Sequence, residues 1–143
     1  MAEFTYNSIQ TIEAGAAAQL TQSIGCPKGY VVFDPETGIV ILRGVVNNPC
    51  ARFARYRIVA GSNIAVPEGG TVGEISQALA LNGVAVQPSR ARVTPTAVDT
   101  YWNVTSCRDI DVPVGCCYSF SVQNTSGQSI NMQNLNVSVN RVA

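Results

Sequence analysis

Apolar and polar residues alternate with a period of two along most of this chain, in short runs bounded by Gly, Pro, Asn and Asp. The clearest case lies between Val72 and Gln87, where Ile75–Leu81 and Val84–Val86 flank a lone Asn82-Gly83 pair. Both central residues of a type I′ turn need positive φ, which Asn tolerates and Gly takes freely, so the stretch is predicted as a β-hairpin. Folding about that turn sets Leu81 against Val84 and Leu79 against Val86 on one face. The other face carries Ala78, Ala80 and Ala85. Neither face is built for water, so one should meet the core and the other a second sheet or a neighbouring subunit. Ala78, Ala80 and Ala85 are therefore the candidate oligomer interface.

The same reading gives a second hairpin from Tyr30–Phe33 and Ile39–Leu42 about a Pro- and Gly-containing turn. Ala51 to Ala60 reads as a strand with Phe53, Arg55 and Arg57 on one face, and Asn63 to Pro67 continues as a short one. Tyr101 to Val114 alternates at length and places Asp109 and Asp111 on a common face. Tyr118 to Val122 is a half-buried strand. In the closing stretch Ile130 and Met132 share a parity that Leu135, Val137 and Val139 break, which predicts a bulge near Gln133-Asn134. Before Ser23 the pattern is least regular. Short strands at Ser8–Ile12 and Ala17–Ser23 about a turn at Ala14-Gly15 are the expectation there. About nine or ten short strands without a helix mean an all-β antiparallel sandwich or barrel.

Composition narrows the chemistry. The chain has 143 residues, enough for one domain with a hydrophobic core, and only 13% are charged, about half the usual share. Nine basic and nine acidic residues cancel, which removes the electrostatic case for nucleic acid or an anionic membrane as partner. No apolar run approaches the roughly 20 residues of a membrane span, and no secretory signal pattern precedes Phe4. There is no histidine, which excludes Ser–His and Cys–His nucleophiles and His-based zinc sites. No phosphate-binding glycine motif occurs, so neither an enzyme nor a cofactor is expected.

Several residue sets carry two readings. Cys26 and Cys50 flank the arms of the second hairpin, as a disulfide closing its base or as two unrelated thiols. Arg52, Arg55 and Arg57 form a phosphate or carboxylate site, or an exposed or intersubunit strand. Asp109 and Asp111 bind Ca²⁺ if loops add oxygens, or stand on a solvated face, the commoner arrangement. Cys116-Cys117 is a strained redox pair or two strand-end thiols. Tyr101, Trp102 and Asn103 are the one local group suited to a sugar. The sequons at Asn103, Asn124 and Asn136 are most simply turn and strand-face residues.

The middle and C-terminal portion resembles the jelly-roll modules of the C1q/tumour-necrosis-factor type found in phage, prophage and Clostridia-type bacterial surface proteins. The residues that carry the resemblance are Ile64–Gly73, Ala78–Gly83, Val112–Cys117, Val122–Ser126 and Val137–Val142. It implies a jelly roll of about 8–10 strands, no catalytic residues, and a homotrimer packed about a threefold axis through apolar strand faces. It lacks a collagen-like stalk, which suits a capsid decoration or head-fibre protein, made in the host cytoplasm and carried on the virion surface. On that reading residues 1–23 form an arm that grips the capsid or particle, and residues 24–143 form the jelly roll. The alternative is a receptor- or carbohydrate-binding module of a tail fibre or cell-surface appendage.

Overall fold

Strands account for nearly all regular structure in a computed structural model of the chain, which describes residues 2–24, 31–34, 38–44, 50, 52–114 and 117–142. In chain order they are β1 (Ala2–Tyr6), β2 (Gln10–Ile12), β3 (Gln22–Ile24), β4 (Val31–Asp34), β5 (Ile39–Arg43) and β6 (Phe53–Ala65). Then follow β7 (Ile75–Leu81), β8 (Val84–Ala85), β9 (Ala91–Val93), β10 (Trp102–Pro113), β11 (Cys117–Asn124) and β12 (Ile130–Arg141). A 3₁₀ turn, Gln87–Ser89, separates β8 from β9. One sheet runs β10-β6-β12-β1-β3 with β2 also on β12; the other runs β4-β5-β11-β7 with β8 and β9 on β7. Neighbours are antiparallel throughout. We call these the first and second sheet. Their facing sides bury Phe4, Tyr56, Ile64, Leu79, Phe120 and Leu135 in one core.

The central hairpin forms as its turn chemistry demands. Asn82 and Gly83 hold φ of 52° and 82°, and Leu81 pairs with Val84 and Ala80 with Ala85. Its second arm is shorter than the alternation suggests. Pro88 has no N–H to donate, and the Ser89 hydroxyl takes the place of a strand partner by accepting from the Leu79 amide at 2.9 Å. After that break the chain returns to β7 as a separate strand, β9, pairing Ala91–Val93 with Ile75–Gln77. The bulge in β12 is present. Its register against β6 shifts between Gln133 and Asn136, and Asn134 takes φ 54°. Met132 before it and Leu135, Val137 after it all remain buried.

Three expectations are corrected. The strand broken after Ala60 is one continuous β6 through Gly61, which pairs with Thr105 on one side and Asn136 on the other. Glycine there is a ladder residue, since a Cβ would meet only the Asn136 side chain at ordinary contact distance. Residues 2–23, read as an arm, are not outside the sandwich. β1 pairs with β12 and β3, β2 pairs with β12, Ala17 bridges to Gln123 in the second sheet, and Phe4 has no exposed surface. The boundary at residue 23 falls inside β3. β1 was hidden because its alternation runs for only five residues. Finally, Ala78 and Ala80 lie cross-strand from Gln123 and Ser121, on the side of β7 away from the core, yet they are fully buried within the single chain. They offer a second chain no surface; Ala85 keeps part of its own.

Candidate functional site

The long antiparallel pair β6–β10 decides which charged residues meet. Register places Arg57 opposite Asp109 and Arg55 opposite Asp111 on the outer side of the first sheet. Directly opposed side chains on one face lie close enough to pair. The Arg55 Nε donates to Asp111 Oδ1 at 2.8 Å and its Nη2 to Oδ2 at 3.1 Å. Arg57 repeats the fork on Asp109 at 2.9 and 3.2 Å. Two parallel bidentate pairs thus stand on adjacent rungs, with the Arg55 guanidinium 5.4 Å from the Phe53 ring centre. They line an open depression of about 520 Å³ together with Cys107 and Arg108.

This arrangement joins two sets that sequence treats separately. The carboxylates a Ca²⁺ ion would need are held by arginines, and the arginines a phosphate would need are held by carboxylates. Among the described residues no group of three or more Cys, Asp or Glu side chains is placed to hold a metal. Arg52 is exposed and outside the ladder, its carbonyl accepting from the Val114 amide. Hydrogen bonds from Arg57 and Arg55 hold the Asp109 and Asp111 carboxyls below the usual carboxylate range, and the same bonds raise both guanidinium values. A depressed folded-state value means the contribution exists at neutral pH and is lost as pH falls through that value. Both pairs are exposed, so salt screens them. The double variant Asp109→Asn, Asp111→Asn is expected to lower Tm slightly in dilute buffer at neutral pH. That difference should vanish in about 1 M NaCl and in acid, as thermal melts would show.

The rest of this face is mostly uncharged, with Glu3 of β1 beside Ser138. Ser138, Val59 and Cys107 form the next rung, and Asn136, Gly61 and Thr105 the one after. Cys107 is an exposed thiol. At one end Phe53, Val114 and Val142 are exposed apolar side chains, set beside each other by backbone bonds from Val114 to Arg52 and from Val142 to Arg55. At the other end the Asn103 amide donates to Asn63 Oδ1 at 3.2 Å, and Trp102, on the opposite side of the strand, is 45% exposed. On the outer side of the second sheet Val32 pairs with Ile41 and Ile39 follows on the same face, an aliphatic strip in which Val32 and Ile39 are exposed.

Of the cysteines, Cys26 and Cys116 lie outside the described residues, and with them the Cys26–Cys50 disulfide and the vicinal pair; Cys50 and Cys117 are exposed. The sequon at Asn124 has a structural role. Asn124 is fully buried, and its amide donates to the carbonyls of Ile12, Glu13 and Gln128 while its Oδ1 accepts from the Ser126 amide. Nothing in the local sequence beyond a turn signal points to that role.

No protein-family model matches this chain, and no curated protein does. Solved structures do. The Eiger TNF of S. frugiperda superposes with a TM-score of 0.65 at 11% identity, over 99% of this chain and 92% of that one. The globular domain of zebrafish complement 1qA gives 0.56 at 8% identity, over 96% and 94%. The fold is a C1q/TNF-type jelly roll. The jelly roll spans the chain from β1 onward, which is why the N-terminal strands pair as they do.

Proposed function

We propose that this protein is a non-catalytic jelly-roll module that assembles as a homotrimer and decorates a phage capsid or related particle. The observation that carries the reading is the jelly roll itself, which matches TNF and C1q domains across nearly the whole chain. A second support is the surface. Val32, Ile39 and Ile41 on the second sheet, and Phe53, Val114 and Val142 at the end of the first, are apolar strips of the kind that self-association covers. Against catalysis stand the absence of histidine from the sequence and the commitment of Asp109 and Asp111 to arginine.

The native mass of the purified protein, measured by light scattering with and without reductant, tests the assembly. A trimer insensitive to reductant is expected; a monomer overturns it. The particle is tested apart from the trimer: capsid genes are expected beside this one, and co-sedimentation with capsids built from their shell protein is the assay. Failure to sediment would remove the decoration reading and leave the trimer standing. The exposed Trp102 at this end of β10 favours a second reading, a receptor- or carbohydrate-binding module. Tail genes as neighbours and binding on a glycan array, lost in Trp102→Ala, would put it first.

A further inference from the structure

Inside the sandwich, where β6, β7 and β10 face one another, the apolar core is interrupted by three polar side chains. Ser62 of β6 is 1% exposed, Gln77 of β7 is 0% and Ser106 of β10 is 2%. Ser62 pairs with Val104 and Ala60 with Ser106, so the two serines project from one face of the first sheet, a single rung apart. Gln77 reaches across from the second sheet, and its Oε1 accepts a 2.6 Å hydrogen bond from Ser62 Oγ. β7 and β10 approach each other along this side of the interior.

The Ser62 bond fixes the Gln77 amide with its carbonyl toward β6, which turns the amino end elsewhere. Gln77 Nε2 and Ser106 Oγ then have no hydrogen-bond partner among the described residues. A buried amide and a buried hydroxyl each lose their hydration on folding, and folded proteins rarely leave such groups unmade. Two of them, from opposite sheets and facing the same part of the interior, point to a common partner. We propose that Gln77 Nε2 and Ser106 Oγ hold one buried water molecule between the two sheets.

The chemistry selects water over other occupants. Gln77 Nε2 is a donor only, which turns away a cation, and among the described residues no buried side chain is charged to hold an anion. A water oxygen accepts from Gln77 Nε2–H and either donates to or accepts from the Ser106 hydroxyl. A buried water making two to four such bonds is a regular part of protein interiors. Here it would extend the Ser62–Gln77 link into a hydrogen-bonded joint fixing β7 in register over β6 and β10.

The sign of one substitution tests this. If the Ser106 hydroxyl has no partner, Ser106→Ala removes a buried cost and raises Tm. If it holds the water, Ser106→Ala strips the water of a partner and is expected to lower Tm by about 3 °C. Ser138→Ala, on the outer face of the same sheet, controls for strand propensity. On the unaltered protein, the Gln77 side-chain amide protons should show a cross-relaxation peak to a long-lived water. A rise in Tm for Ser106→Ala relative to the control, or no water peak at the Gln77 amide, overturns the proposal. Should Ser106→Ala fail to fold, the water peak decides alone.

Discussion

Replacing Phe4 with alanine is expected to cost about 3–5 kcal/mol, a large part of the stability of a domain this size. Phe4 comes from β1, has no exposed surface, and meets the Phe33 ring of β4 with centroids 4.9 Å apart. β1 belongs to the first sheet and β4 to the second, so this contact ties the two layers together. Truncation removes the ring and leaves a cavity between sheets, which hydrogen-bonded strands on either side cannot collapse to fill. Denaturant melts should show the midpoint falling with an unchanged slope. Glu3→Ala, on the outer side of the same strand, should stay within about 0.5 kcal/mol. The same geometry decides what deletion of the segment read as a docking arm would do. Removing residues 4–23 strips most of β1 and all of β2 from β12, together with most of β3, which pairs with β1, so loss of folded protein is expected, in place of a folded trimer that no longer docks. A soluble, cooperatively melting deletion variant would show that the N-terminal strands are dispensable.

What sequence made legible followed from local chemistry. Asn82-Gly83 has a turn type written into two residues, and the bulge in β12 is a change of parity visible along one strand. Neither needs a distant partner. The Arg55–Asp111 and Arg57–Asp109 pairs were half legible: each face was assigned, but 56 and 52 residues separate the partners. Their meeting depends on the register of β6 against β10, which no local pattern states. β1 was illegible for the complementary reason. A strand of five residues alternates too briefly to declare itself, and its place is set by β12 and β3. Ala78 and Ala80 show the limit of reading burial from side-chain type. Small apolar residues on an outer face suggested a partner chain, while the chain buries them itself. Polarity misleads in the opposite sense at Ser62, Gln77 and Ser106, which period alone assigns to the core face and composition does not.

Asn124→Ala is the second substitution with a large expected effect, about 3 kcal/mol or more, because it would strand several groups at once. Asn124 closes β11 and is 0% exposed. Its Nδ2 donates to the Ile12 carbonyl at 3.0 Å, the Glu13 carbonyl at 3.2 Å and the Gln128 carbonyl at 2.9 Å. Its Oδ1 accepts from the Ser126 amide at 2.9 Å. One amide therefore joins the end of β2, the end of β11 and the turn that leads to β12. Asn124→Asp separates donor from acceptor within that set. An ionised carboxylate keeps the Ser126 bond but faces three carbonyl oxygens with nothing to donate, so the folded state favours the protonated acid. The folded-state value is then raised above the unfolded one, and the penalty is full above it and relieved as pH falls through it. Thermal melts of Asn124→Asp should accordingly approach the unaltered protein between neutral pH and about pH 4, whereas Asn124→Ala should show no such recovery. Parallel pH profiles for the two variants would mean that the Asn124 amide protons are not what holds these three segments together.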